Sequence, residues 1–143
     1  MNKKINKICF IFLFRLNMPW VSYIQSLQNS AVSSAILSFE GADCGHLGDW
    51  KASTSELIKI ARLLKECQTE GSHFNYGNEE FTIVKVASDA IVAHGGGGGL
   101  IFIKSKTLII AAEYEFKKNS DEVEAQLSSK IFPIVEKLKS INY

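Results

Sequence analysis

Between His73 and Phe116 the chain places five strand-like runs so close together that only an antiparallel meander can join them. The runs are HFNY, FTIVKVA, IVAH, LIFI and TLIIAAEYEF, separated by GNEE, SDA, a glycine run and KSK. Parallel neighbours need a crossover of about a dozen residues or more. No spacer here is that long.

The flanking sequence reads as helices and one more hairpin. Trp20, Tyr23, Ile24 and Leu27 fall at i, i+3, i+4 and i+7 and predict a first helix opened by Pro19 and ended by Asn29 and Ser30. SSAILSFEG is short, apolar and closed by glycine, as in a buried strand. EGADCGHLGDW, with three glycines, predicts a long hairpin loop, after which Trp50 and Lys51 start the returning strand. Ser53 and Glu56 form a capping box for a second helix reaching about Cys67, its apolar face Leu57, Ile60, Ala61 and Leu64. A last helix opens at NSDE, with Asn119 as cap and Glu122 three residues on. Its apolar stripe is Val123, Leu127, Ile131, Ile134, Leu138 and Ile141, and Pro133 predicts a kink or break in it. The fold class is therefore mixed α/β, with terminal helices flanking an antiparallel sheet.

At 143 residues, 46% hydrophobic and 22% charged, the chain suits one globular domain. Residues 1–17 stand apart: Lys3, Lys4 and Lys7 lead into ICFIFLF, which resembles the front of a signal peptide. Arg15 interrupts the apolar stretch, no small-x-small cleavage site follows, and the segment is too short for a transmembrane helix. It reads as an extension or an over-called start, with the folded domain spanning 18–143. Removing its four basic residues leaves 16 − 4 = 12 basic against 15 acidic, a net charge of −3. Without a basic, aromatic-interleaved cluster, nucleic acid is not an expected partner. Cys9, Cys44 and Cys67 are odd in number and widely spaced, against a disulfide framework or thiolate metal site and in favour of a reducing cytosol.

Catalytic motifs are absent. The five glycines of HGGGGGLIF lead into another strand-like run, whereas a phosphate-binding loop leads into a helix whose N–H groups hold the anion. Leu100 and Ile101 stand where a Walker loop needs Lys and Ser or Thr, so the run reads as a permissive hairpin turn. His46, His73 and His94 lack ligand spacing on any one element, and Cys67 has no base partner that the sequence identifies. Neither metal, cofactor nor enzymatic activity is expected; a small enzyme using the glycine loop is the least supported reading.

The aromatic residues give a more specific lead. MPWVSY, the strand pair ending in Trp50, the glycine turn followed by LIFIKSKTLIIAAEY, and the terminal LKSINY together resemble the profilin family. The resemblance covers Met18 to Tyr143 and implies a central antiparallel sheet of about six to seven strands. The N- and C-terminal helices would pack on one face and a shorter helix on the other. It also implies a cytoplasmic, cytoskeletal protein that binds monomeric actin and regulates its polymerisation, takes proline-rich proteins, and contacts phosphoinositides. On this resemblance Trp20, Tyr23, Trp50, Leu138 and Tyr143 form the proline-rich site, where an exposed aromatic groove suits a preformed polyproline helix. Lys85, Ser128 and Phe132 fall on the actin face.

Several departures accompany the resemblance. Ala93, His94 and Gly95 stand where many relatives carry Gly-Lys-Lys, and Lys137 where many carry histidine. The lost lysines, the net negative core, the long loop before Trp50 and the intrusion of Pro133 each lower the affinity expected for actin. The competing reading is a profilin-fold scaffold or trafficking module that binds no actin. Exposure of Trp20 and Trp50 separates the two, because a scaffold would bury both.

Overall fold

The computed structural model describes residues 20–66, 70–116 and 120–143. Residues 1–19, with the predicted extension and Pro19, lie outside them, as do Cys67 and the predicted cap Asn119. The elements run α1 (Val21–Ile24) with a following 3-10 turn (Gln25–Leu27), β1 (Ser33–Ser38), β2 (Asp43–Gly48) and α2 (Thr54–Lys65). Then come β3 (His73–Tyr76), β4 (Glu79–Val86), β5 (Ala90–Gly95), β6 (Gly98–Lys104), β7 (Leu108–Glu115) and α3 (Ser120–Ser140). All seven strands make one antiparallel sheet in the order β2-β1-β7-β6-β5-β4-β3. The meander from β3 to β7 is thus present, and β1 closes onto β7.

Both faces of the sheet are covered. On one, Trp20, Ile24 and Leu27 join Leu127, Ile131, Ile134, Val135 and Leu138 of α3 over Ile36, Ile101, Ile103 and Ile110. On the other, Leu57, Ile60, Ala61 and Leu64 of α2 pack on Leu37, Leu100, Phe102 and Ile109. This is the expected layering of the two terminal helices opposite a third, although α2, at 12 residues, is shorter than α3 but longer than the 4-residue α1.

The capping box of α2 also ties it to the sheet. Ser53 Oγ accepts from the Glu56 amide at 3.2 Å, and the Ser53 amide donates to Glu56 Oε1 at 2.9 Å. The same carboxylate accepts from the amides of Gly77 at 3.0 Å and Asn78 at 3.1 Å, in the turn between β3 and β4. Burial alone would raise the Glu56 carboxyl, but these donors outweigh it and hold it below its ordinary value.

Three local expectations are corrected. The returning strand is Asp43–Gly48, so most of the predicted loop is β2, and Trp50 lies beyond the strand rather than at its head. The helix α3 runs through Pro133 without a break. Proline costs roughly 3 kcal/mol inside a helix, whereas each fully buried aliphatic side chain contributes about 1.5–3 kcal/mol, and five such residues flank it. Cys44 is disulfide-bonded, and both other cysteines lie outside the described residues. The stripe on α3 is otherwise as expected except that Ile141 is exposed and Val135 joins the core.

The glycine run is the hairpin between β5 and β6, with Gly95 paired to Gly98 and Gly96 turning at a φ of +57°. Gly99 has a different role. It faces Tyr114 across the β6–β7 ladder, and a Cβ there would lie 2.4 Å from the ring Cζ and 2.5 Å from the hydroxyl. Gly99→Ala should therefore destabilise the protein by about 1–3 kcal/mol through overpacking. Gly97→Ala, whose Cβ would meet nothing within 4 Å, should stay within about 0.5 kcal/mol. Urea denaturation of the two variants checks the contrast.

Candidate functional site

Two surfaces share α3. Around its last turns, the Trp20 ring meets Tyr143 edge-on at 5.1 Å and Tyr23 at 5.7 Å, over buried Leu138. The nitrogen of Lys137 sits 5.5 Å from the centre of the Tyr23 ring, within cation–π range. Tyr143 is placed by how α3 ends. Asn142 takes a left-handed φ of +71°, its amide donates to the Lys139 carbonyl at 3.1 Å, and the Tyr143 amide donates to the Leu138 carbonyl at 2.8 Å. These are the two bonds of a Schellman cap, with asparagine where glycine is commonest. The Tyr143 carbonyl then accepts from the Thr107 amide at 2.8 Å and from the Ser105 hydroxyl, pinning it to the β6–β7 turn.

Four of the five predicted groove residues thus come together, and Trp50 does not. It packs on the α2 side of the sheet, 4.9 Å from Tyr76, with an indole N–H that has no hydrogen-bond partner. The β2 residue beside Trp20 is Gly45, where a Cβ would lie 3.4 Å from Val21 and 3.7 Å from Trp20. Trp20 itself is 0% exposed, as expected of a scaffold, whereas Trp50 is half-buried, so the two tryptophans do not separate the actin-binding and scaffold readings; Tyr23, Tyr143 and Lys137 are what the cluster offers a ligand.

The second surface lies toward the start of α3. Glu124, Ser128 and Phe132 follow one another at i, i+4 and i+8, passing from buried to half-buried to 48% exposed. Lys85 reaches this row from β4, its ammonium donating to Glu124 Oε1 at 2.7 Å. Tyr114 donates to Glu124 Oε2 at 3.0 Å, and His94 Nε2 lies 3.8 Å from that oxygen. Burial raises the Tyr114 hydroxyl, and the neighbouring Glu124 charge adds to this. For Glu124, burial pulls upward, but the bonds from Lys85 and Tyr114 prevail and hold the carboxyl below its ordinary 4.5.

Of the three predicted actin-face residues, Ser128 and Phe132 thus lie on one row of α3, and Lys85 meets that row at Glu124. Glu124 and Tyr114, which join it to the sheet, were missed. The available cue was an acid at the helical positions three and seven residues before Leu127 and Ile131, on the buried side, where a carboxylate needs partners. Among the described residues no group of His, Cys, Asp or Glu is placed to hold a metal ion, and no helix is long and apolar enough to cross a membrane.

The Profilin family model matches residues 18–143. The chain belongs to the profilin family. Solved structures of the same fold include Acanthamoeba castellanii profilin IA, 14% identical, covering 84% of this chain and 99% of that one, with a TM-score of 0.66. LokiProfilin2 in its complex with rabbit actin is 14% identical, covers 87% and 95%, and gives 0.65. Mouse profilin IIa, in complex with a double repeat from the FH1 domain of mDia1, is 10% identical, covers 87% and 99%, and gives 0.64. No curated protein sequence matches the chain.

Two carboxylates with lowered folded values, Glu56 and Glu124, make the stability of this profilin acid-sensitive. Their contribution is fully present above the ordinary 4.5 and is lost as pH falls through the lower folded values. Thermal midpoints from pH 7 to pH 3 should fall below about 4.5, and less steeply in Glu124→Gln. At the helix end, Asn142→Val puts a β-branched residue in a left-handed backbone and should cost about 1 kcal/mol or more. A shift in Trp emission should accompany it as Tyr143 leaves Trp20.

Proposed function

We propose that this profilin binds monomeric actin through the α3 row and thereby regulates polymerisation, acting as a binding protein rather than an enzyme. The observation that carries the reading is Phe132. A large apolar ring 48% exposed on a helix, in line with Ser128 and with the Glu124 that Lys85 meets, is the kind of anchor that a protein interface buries. The actin complex of LokiProfilin2, a protein of the same fold, supports it. The cytoplasm, at the actin cytoskeleton, is the corresponding place of work, although a disulfide-bonded Cys44 is uncommon there.

Proline-rich segments are the second ligand, favoured by the gathering of Trp20, Tyr23 and Tyr143. With Trp20 buried, the tyrosines supply the contact and Trp20 supports them from beneath. The FH1 complex of mouse profilin IIa gives the analogy in a protein of this fold. Trp50 has no part in this site, being on the other side of the sheet. For phosphoinositides, the third expected partner, Lys130, Lys137 and Lys139 on the second half of α3 are the cations a headgroup would meet.

Sedimentation equilibrium of the full chain with labelled monomeric actin tests the main reading. Saturable binding weakened at least about tenfold by Phe132→Asp is expected for a buried anchor. Absence of wild-type binding removes actin and leaves the scaffold reading. A proline-rich peptide titrated against Trp emission tests the second ligand: Tyr143→Ala should abolish a saturable change while leaving actin binding intact.

A further inference from the structure

Lys85 is the cation that the α3 row would offer an acidic partner, and its ammonium is already engaged. The lysine side chain is 59% exposed, yet its nitrogen is 2.7 Å from a carboxylate whose side chain is only 9% exposed. Seen from beyond a few ångströms, such a pair has no net charge. Asp121, on the first turn of α3, acts on Lys85 as a further negative charge. Handing Lys85 to a partner would strip Glu124 of its cation and leave a buried carboxylate held by Tyr114 and the more distant His94. Breaking a buried pair in this way is costly, because the remaining charge has neither water nor a counter-ion. The direction of both shifts agrees: Glu124 raises Lys85, and Lys85 lowers Glu124.

We propose that Glu124 is a charge-masking, positioning residue: it keeps Lys85 as an internal counter-ion, so this face meets actin without a net cation and depends on the apolar Phe132 anchor. The inference rests on the actin reading, and it extends that reading to how the partner is recognised. Association should be slow to respond to salt, since there is little long-range attraction to screen.

The test is stopped-flow association of the full chain with fluorescent monomeric actin at low and physiological salt, for wild type, Glu124→Gln, Lys85→Ala and the double variant. Gln preserves the shape and can still accept from Tyr114, so E124Q should fold. It should associate about three- to tenfold faster at low salt, with a steeper salt dependence, because Lys85 is unmasked. Lys85→Ala should then slow association more in the E124Q background than in the wild-type background. An equal effect of Lys85→Ala in both backgrounds, or no acceleration in E124Q, overturns the proposal.

A second arm does not involve actin. The Glu124 carboxyl carbon is followed by NMR through an acid titration, and its midpoint should rise in Lys85→Ala; an unchanged midpoint overturns the counter-ion assignment. Should wild type fail to bind actin, the actin reading falls by itself and the titration still decides the pairing.

Discussion

The two-sided burial of the central strands is the constraint on which everything else depends. β1 is buried at every position, β6 and β7 nearly so, and side chains of a strand point alternately to opposite faces. A sheet of this kind cannot leave one face to water. It requires helices on both sides, and the chain has only α2 for one and α1 with α3 for the other. The arrangement of helices is therefore a response to the sheet. Even the proline in α3 is tolerated on that account, because the sheet demands the apolar stripe that runs past it.

Much of this was legible. Strands β3 to β7 follow from short apolar runs and spacers too brief to cross over, and the Ser53–Glu56 box fixed the start of α2 to the residue. What local sequence did not convey is pairing. DCGHLG has two glycines and little strand propensity, and becomes β2 because β1 would otherwise have an unpaired edge. Reading that segment as a loop moved the returning strand onto Trp50, and the resemblance then grouped Trp50 with Trp20, whereas it packs on the α2 side of the sheet. The same limit applies to Glu124: its position on the helix announced a partner, but only the fold brings Lys85, Tyr114 and His94 from three different strands.

The glycines connect the two kinds of information. Their number suggested a flexible turn, and two of them serve one. Gly99 instead clears room for the Tyr114 ring, and the hydroxyl of that ring reaches Glu124. A residue with no side chain thus determines where a buried charge is held. The lysines expected in this turn are absent, and Lys85, which meets the α3 row from β4, is paired with Glu124.

Fourteen residues of α3 separate Glu124 from Leu138, roughly 21 Å at 1.5 Å per residue. One end is fastened to the sheet by a carboxylate and the other to the β6–β7 turn through the Tyr143 carbonyl. A rod clamped at both ends keeps its length. The spacing between the two surfaces is therefore set by the helix itself, which is a ruler with both ends fixed.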